Sequence, residues 1–315
     1  MIISASRRTD IPSFYAEWFI NRIRAGYCCV ANPFNPSYIK FVSLKPEDVD
    51  VIVFWTKNAK PLIPFLNMLD EMGYKYYFQY TLTGYPKIFE PNTPSQNESL
   101  QIIQTLADKI GKARIIWRYD PIIFSNVTSF FYHADKFSEL VEALKNFTRR
   151  VMVSIFDEYK AAKNRMMELK KVGVEQISDP QNTDEFGNLF QTMASIARSA
   201  DLEIFSCAEE IDISRYGIPP GKCIDNEYIK DVFGLDVCAH KDKSQRTECL
   251  CVESKDIGFY DTCLHGCEYC YATSNKEAVT RNVKTHRDDS PSLIGWYDED
   301  FLELGSNIQM KLFNC

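Results

Sequence analysis

Short runs of apolar, β-branched and aromatic residues recur through the first two thirds of the 315-residue chain, and each is followed by a segment with helical periodicity. The six runs span residues 2–6, 51–55, 76–81, 114–118, 151–155 and 202–207. Because strands that alternate with helices usually pair side by side and in parallel, this order predicts an α/β fold built on a parallel sheet.

The segments between these runs carry the signals of helix ends. Four of them stop at a glycine, which adopts a positive φ at little cost and so terminates a helix. These four predicted helices span residues 14–25, 61–72, 96–110 and 158–172, and two more are predicted over 137–146 and 189–200. With right-handed crossovers, such βα units wind into a TIM-like parallel barrel, complete, partial or permuted, with a doubly wound open sheet as the alternative.

The pattern changes near Ile211, and this change predicts two domains. Residues 1–210 would form the βα barrel domain, and residues 211–315 a cysteine-rich region, with a short helix over 226–233, that packs over the barrel mouth. The chain has 11 cysteines, most of them after Ser206. In a reducing compartment such a cluster favours metal ligation over disulfides, so we expect this region to hold an iron-sulfur centre.

Charge and hydropathy limit the partners that this chain is expected to have. Its formal net charge of −7 opposes attraction to phosphate backbones, so a small-molecule substrate is favoured over nucleic acid. No apolar run reaches the roughly 18 residues of a membrane-spanning helix, and the N-terminus becomes charged within a few residues, unlike a secretory signal. We therefore expect no membrane association and a cytoplasmic location.

The strongest local signal is the spacing C-x3-C-x2-C formed by Cys263, Cys267 and Cys270. Three thiolates on one short loop can bind three irons of a [4Fe-4S] cluster and leave the fourth iron open for S-adenosylmethionine or a substrate. The alternative is zinc, which normally needs four closed ligands and would have to recruit His265 or one of the cysteines at positions 249 and 251.

A second set of cysteines precedes this loop: Cys207, Cys223, Cys249 and Cys251. Four thiolates suffice for a closed zinc site or for a second iron-sulfur cluster, and the last two are separated by a single residue. The alternative is that they are ordinary buried or loop thiols. A second metal site is the hypothesis carried forward, because a region this poor in apolar residues needs another source of stability.

Polar side chains follow the predicted strands, where the catalytic groups of parallel barrels lie. The candidates for catalysis are Arg7, Arg8, Asp10, Lys57, Arg118 and Asp120, and the candidates for cofactor binding are Gln79, Glu209 and Tyr269. Such a ring of charges can bind the carboxylate and ammonium of S-adenosylmethionine and an anionic substrate, or it is an internal salt-bridge network that only stabilises the rim. Glu90 is either a carboxylate at the same mouth or a solvated turn residue, and His265 is expected to hydrogen-bond a cluster sulfide.

The string CLHGCEYCYA, which holds the three cysteines of the loop, resembles the cysteine loop of the radical S-adenosylmethionine superfamily. Its GCEYCYA form resembles the spore photoproduct lyase and DNA-repair photolyase-like branch. In that superfamily the loop follows the first barrel strand near the N-terminus, whereas here it lies near the C-terminus. ISASRRTDIPSF at the N-terminus, FWTKN at 54–58 and RYDPI at 118–122 resemble domain of unknown function 1848, a family whose members carry these cysteines at the C-terminal end.

This resemblance implies a radical S-adenosylmethionine-type enzyme that binds a [4Fe-4S] cluster and S-adenosylmethionine, acts on an unknown substrate and receives electrons from a flavodoxin or ferredoxin. A permuted barrel would bring the C-terminal loop to the barrel mouth. Two other functions stay open. One is a non-enzymatic iron-sulfur protein for electron transfer or redox sensing, with Cys251 or His265 completing the cluster, and the other is a zinc-stapled barrel that binds a small molecule.

Overall fold

The structure, a computed structural model, describes residues 1–32 and 35–296. In chain order the strands of these residues are β1 (Ile2–Ala5), β2 (Tyr27–Asn32), β3 (Asn35–Ser43), β4 (Val51–Thr56), β5 (Tyr76–Thr81), β6 (Ile115–Ile122), β7 (Arg150–Ile155), β8 (Glu203–Cys207), β9 (Pro220–Gly221) and β10 (Lys255–Asp256). Eight of them form one sheet in the order β10, β1, β4, β5, β6, β7, β8, β9, and every neighbouring pair in it is parallel. β2 and β3 form a separate antiparallel pair.

The parallel sheet is curled into a half-barrel, with β10 and β9 at its two edges. The predicted parallel α/β architecture is therefore confirmed, in its partial form. The six predicted runs are the strands β1, β4, β5, β6, β7 and β8, and each strand begins within one residue of its predicted start.

The helices of the described residues are α1 (Ile11–Phe14), α2 (Ala16–Ala25), α3 (Leu66–Glu71), α4 (Gln96–Ile110), α5 (Phe130–Leu144), α6 (Lys160–Lys171), α7 (Asp184–Ser199), α8 (Asn226–Phe233) and α9 (Lys276–Lys284). α4 and α8 have their predicted bounds. α5 and α7 begin earlier than predicted, because Ser129 and Thr183 cap them by accepting backbone N–H groups at 3.3 Å. Within residues 1–32 and 35–296, no helix combines the length and apolar character needed to cross a membrane.

The two faces of the sheet bury different parts of the chain, since successive side chains of a strand point to opposite faces. The helix-covered face buries Ile3, Phe54, Phe78 and Trp117, and the inner face of the half-barrel buries Val53, Tyr77, Ile116 and Met152. Residues between 223 and 252 pack on the inner face, so this segment lies in the hollow of the half-barrel. The residues on either side of it supply the edge strands β9 and β10.

Candidate functional site

The C-terminal edge of the parallel sheet carries most of the residues predicted to be functional. Because the strands run in one direction, the loops that follow them open on one edge. These loops and strand ends supply Arg7, Arg8, Asp10, Lys57, Glu90, Arg118, Asp120, Cys207, Glu209 and the cysteine loop around Cys263. The topology thus places the predicted residues at a common edge, while their chemical roles stay predictions.

The cysteine loop begins beside the first strand of the chain. It follows β10, whose Asp256 accepts hydrogen bonds from Ser4 Oγ at 2.8 Å and Ser6 Oγ at 2.6 Å. The same carboxylate accepts the backbone N–H of Arg7 at 2.7 Å. Gly258 packs against this junction so closely that a Cβ atom there would overlap the side chain of Ser6. The loop that comes late in the sequence is therefore fixed to the end of β1.

Arg165 of α6 holds the other end of the cysteine loop. Its guanidinium donates to the carbonyl oxygens of Glu268 at 3.0 Å, Thr273 at 2.6 Å, and Cys270. The backbone N–H of Glu268 in turn donates to the carbonyl oxygen of Phe89, at 3.0 Å. Sequence reasoning missed Arg165, and no local signal marks it, because its partners are backbone carbonyls about a hundred residues away in the chain.

The three cysteines of the loop lie close enough that charge on one affects another. Burial raises the pKa of the Cys267 thiol well above its ordinary value, and the ammonium of Lys57 opposes this rise. Negative charge on Glu90, Cys270 and Cys263 raises the pKa of Cys267 further. The thiol of Cys267 is therefore neutral without a further cation to stabilise its ionised form, and a bound metal is the usual source of such stabilisation.

Backbone N–H groups are directed at two of these sulfur atoms. The N–H of Ala272 donates to Cys270 Sγ at 3.3 Å, and the N–H groups of His265 and Asp10 interact with Cys263. Donors of this kind stabilise thiolates bound to metal. Across residues 1–32 and 35–296, however, no group of three or more His, Cys, Asp or Glu side chains is already arranged to hold a metal ion. The metal site at the loop thus stays a prediction.

A buried ion pair lies next to the cysteine loop. Glu90 is only 6% exposed and accepts hydrogen bonds from Lys57 Nζ at 2.9 Å, Thr83 Oγ1 at 2.7 Å, and the hydroxyl of Tyr269. Burial by itself would raise the pKa of Glu90, but the charge of Lys57 and these hydrogen bonds outweigh burial and lower it. Glu90 is therefore not a solvated turn residue. A cavity of about 250 Å³ reaches both Lys57 and Glu90.

Asp10 and His265 form a second buried pair at the same edge, with side chains 7% and 3% exposed. Asp10 Oδ2 lies 2.8 Å from His265 Nε2, and the carboxylate also accepts Thr56 Oγ1 at 2.7 Å and the N–H of Lys57 at 2.7 Å. His265 Nδ1 lies 3.4 Å from the carbonyl oxygen of Asn92. Both ring nitrogens thus face protein oxygens, which leaves neither for the expected hydrogen bond to a sulfide.

The four cysteines of the second predicted set come together on the inner face of the half-barrel. The Sγ atoms of Cys207 and Cys223 are 2.8 Å apart, and the side chain of Cys251 contacts both Cys223 and Cys249. The hydrogen bond with Cys223 lowers the pKa of Cys207 and of Cys251, and these contacts raise the pKa of Cys223. Each of the four is a free thiol rather than half of a disulfide.

Several residues predicted for catalysis or cofactor binding surround this second set instead of the cysteine loop. Arg118 Nη1 lies 2.7 Å from Cys223 Sγ and 3.3 Å from Gln79 Oε1, and the same guanidinium pairs with Asp120. Gln79 Nε2 donates to the carbonyl oxygen of Cys223 at 2.6 Å. Burial raises the pKa of Glu209 to about 9, and neighbouring negative groups add to this effect. Arg118, Asp120 and Gln79 are thus packed around the second cysteine set.

The two arginines that follow β1 point in different directions. The guanidinium carbon of Arg7 lies 4.9 Å from the centre of the Trp55 ring. The guanidinium carbon of Arg118 lies 5.0 Å from the centre of the same ring. Arg7 Nη2 is buried and has no hydrogen-bond partner among the described residues. Arg8 Nη1 instead donates to the carbonyl oxygen of Gly258 at 3.4 Å, beside the start of the cysteine loop.

Fold and site together define a class: an α/β protein with a curled, all-parallel sheet whose C-terminal edge carries a cysteine loop and two buried acid-base pairs, and whose inner face holds a second group of thiols. A family model described as "Domain of unknown function (DUF1848)" matches residues 2–272, a stretch that includes all the cysteines of the loop and of the second set. The chain therefore belongs to this family. No curated protein and no solved structure matches the chain.

Proposed function

We propose that this protein is an enzyme of the radical S-adenosylmethionine type, in which Cys263, Cys267 and Cys270 bind a [4Fe-4S] cluster. The observation that carries the proposal is the position of the cysteine loop, which follows β10 where β10 pairs in parallel with β1. In the superfamily that the loop resembles, the cysteine loop follows the first barrel strand. A permuted strand order would give the same arrangement here, with β10 in the place of that first strand.

The chemistry of the donor set fits a cluster that keeps one iron open. The loop offers three thiols, and N–H groups already point at two of their sulfur atoms. Two side chains were candidates for a fourth ligand. His265 has Asp10 and the carbonyl of Asn92 at its two ring nitrogens, and Cys251 contacts the second cysteine set. Three protein ligands and one open iron are what the binding of S-adenosylmethionine requires.

When bound and reduced, such a cluster supplies the electron that cleaves S-adenosylmethionine and produces a substrate radical. The residues of this chain bind, orient and shield. Lys57 and Glu90 place an ammonium and a carboxylate beside Cys267, so they are suited to the carboxylate and amino groups of the cofactor. Tyr269, held by its hydrogen bond to Glu90, is buried in the same apolar cluster as Cys267, and this packing limits the access of water.

The proposal also includes the partners of the reaction. The cavity beside Lys57 and Glu90 suits a small-molecule substrate, and the net charge of −7 disfavours nucleic acid. A flavodoxin or ferredoxin would deliver the low-potential electron. A non-enzymatic electron carrier or redox sensor would instead need a closed cluster with four protein ligands, and it is one of the outcomes of the test.

Electron paramagnetic resonance of the reconstituted protein tests this proposal. The full chain is loaded with iron and sulfide under anaerobic conditions and reduced with dithionite, and spectra are recorded with and without S-adenosylmethionine. We expect a cubane signal from about four irons per chain that shifts when the cofactor is added. Cys267→Ala should lose this signal. Cys28→Ala should keep it, because Cys28 is a buried thiol of β2 outside both cysteine sets.

Each contrary result has a definite meaning. A cubane signal that ignores S-adenosylmethionine would replace the enzyme with an electron carrier or sensor. Failure of the wild-type chain to bind iron would remove the proposal altogether.

A further inference from the structure

We propose that Cys207, Cys223, Cys249 and Cys251 form a second metal centre, a closed tetrathiolate zinc site inside the half-barrel that is independent of the cysteine loop. The four thiols come from three separate parts of the chain: the end of β8, the turn after β9, and the segment that precedes β10. Their convergence is therefore a property of the tertiary structure and not of a local motif.

Side-chain contacts link the four thiols to one another, but the four sulfur atoms do not yet surround one point. Cys207 Sγ and Cys223 Sγ are 2.8 Å apart, and Cys251 bridges Cys223 to Cys249. A Zn–S bond of about 2.3 Å in a tetrahedron separates neighbouring sulfurs by about 3.8 Å, so an ion would need to spread the closest pair by about 1 Å. The side chains now touch one another instead of surrounding a point, and rotations about their Cα–Cβ bonds would move the sulfur atoms apart and open that point.

Donor groups already surround these sulfurs in the manner of a bound thiolate. Arg118 Nη1 lies 2.7 Å from Cys223 Sγ, and the backbone N–H of Ile224 lies 3.3 Å from Cys251 Sγ. The carbonyl oxygen of Cys223 is fixed by Gln79 Nε2 at 2.6 Å and by the hydroxyl of Tyr77 at 2.9 Å. Such outer contacts orient ligands and stabilise the charge of a metal-bound sulfur.

The charges near the site also match a tetrathiolate zinc ion. Four thiolates and one divalent cation carry a net charge of about −2. Arg7 and Arg118 supply two positive charges, of which Asp120 neutralises part by pairing with Arg118. Arg7 Nη2 is buried and finds no acceptor among the described residues, so an anionic sulfur would provide one. Asp256 lies close enough to Arg7 for its negative charge to raise the pKa of the guanidinium, and charged thiolates at Cys223 and Cys251 would add to this stabilisation.

A single ion fits this set better than a cubane does. The four ligands of a cubane bind four different irons at the corners of a cluster, whereas these thiols are packed side by side in a buried region. Four cysteines are a usual ligand set of structural zinc, which needs no open position.

The position of the site indicates a structural role. Residues 234–254, all of them described, form no helix or strand apart from an isolated bridge between Lys241 and Val252. Cys249 and Cys251 belong to this segment, and Cys207 and Cys223 adjoin strands of the sheet. A zinc ion would therefore attach an irregular segment to the inner face of the half-barrel.

Metal analysis by mass spectrometry tests the site on the full chain, purified anaerobically from cells supplied with both iron and zinc. We expect about one zinc ion per chain in the wild type and in Cys28→Ala. The double variant Cys223→Ser/Cys251→Ser should lose zinc. Cys267→Ala should keep zinc while it loses iron, so the failure of this site can be told from the failure of the iron-sulfur proposal.

X-ray absorption at the zinc edge needs no variant, and it keeps the test valid if the double variant does not fold. Four sulfur neighbours at about 2.3 Å in the wild type would support the site, and nitrogen or oxygen neighbours would overturn it. A zinc-free wild type that binds about eight irons would mean a second iron-sulfur cluster instead. A zinc-free chain with a disulfide among these four cysteines, located by peptide mapping under non-reducing conditions, would also overturn the proposal.

Discussion

The buried histidine of α5 makes the free energy of unfolding depend on pH, by an amount that can be calculated from the structure. His133 is 0% exposed, with Nδ1 2.8 Å from the hydroxyl of Tyr119 and Nε2 2.9 Å from the carbonyl oxygen of Ile123. A neutral ring satisfies both partners by accepting from one and donating to the other. Burial lowers the pKa of His133 from 6.5 to about 4, because a charged ring would lose its hydration, and the contact with Ile123 only partly opposes this effect.

The sign of the resulting pH dependence follows from proton binding. Below pH 6.5 His133 of the unfolded chain binds a proton, whereas His133 of the folded chain does so only as the pH approaches 4. The free energy of unfolding therefore falls as the pH falls through this window. Between pH 7 and pH 5 the loss from this one residue is about 2 kcal/mol, at about 1.4 kcal/mol for each pKa unit.

His133→Gln removes the titrating ring, so the variant should lose about 2 kcal/mol less than the wild type between pH 7 and pH 5. Urea denaturation at pH 5, 6 and 7, followed by tryptophan fluorescence, measures the difference. The variant will be less stable than the wild type at pH 7, because glutamine fills less of the buried site. The test is therefore how steeply the free energy of unfolding changes with pH, not its value at one pH.

His240→Gln is the matched control, because His240 is exposed. Its replacement should leave the change of the free energy of unfolding between pH 7 and pH 5 as it is in the wild type. If His133→Gln and the wild type lose stability in parallel between pH 7 and pH 5, the ring of His133 is accessible to protons in the folded state. The account of its burial would then be wrong.

Two further substitutions test the edge of the sheet. Glu90→Gln leaves the buried ammonium group of Lys57 without its counter-ion and should lower the free energy of unfolding at pH 7 by about 3 kcal/mol, measured by urea titration. The control Glu142→Gln changes an exposed carboxylate and should alter this free energy by less than about 0.5 kcal/mol. Gly258→Ala forces a methyl group into Ser6 and should cost about 2–3 kcal/mol and reduce iron retention. Gly73→Ala meets no atom within 4 Å and should cost only about 1 kcal/mol, from its positive φ, with iron binding unchanged.

The strands of the sheet could be predicted because the information is local. The run at 51–55 is apolar at every position, and its first four residues are fully buried, as expected for a strand covered on both faces. Helix ends were predicted less well. The helix expected over 61–72 forms as α3 only from Leu66, because Pro64 lacks an N–H group and the chain before Leu66 turns more tightly.

The rest depends on contacts between distant parts of the chain. β10 has only the residues Lys255 and Asp256, which are polar, and it is a strand because it pairs with β1 some 250 residues earlier. The antiparallel pair of β2 and β3 was missed although β2 starts with the apolar run YCCVA, because β3, with the sequence NPSYIKFVS, lacks such a run and no helical segment separates the two strands. The burial of Glu90 likewise arises from partners that the sequence places in other loops, among them Tyr269.

Arg7 connects the two cysteine sets, and this decides which variants can separate them. Its backbone carbonyl accepts the hydroxyl of Tyr271, next to the cysteine loop, at 2.6 Å, and its guanidinium lies over Trp55 and near Cys251. A change of Arg7 would disturb both the loop after β10 and the thiols on the inner face, so a loss of metal in such a variant would have no single interpretation. Cys267 belongs to one set and Cys223 to the other, and their variants therefore assign iron and zinc to separate places in the same half-barrel.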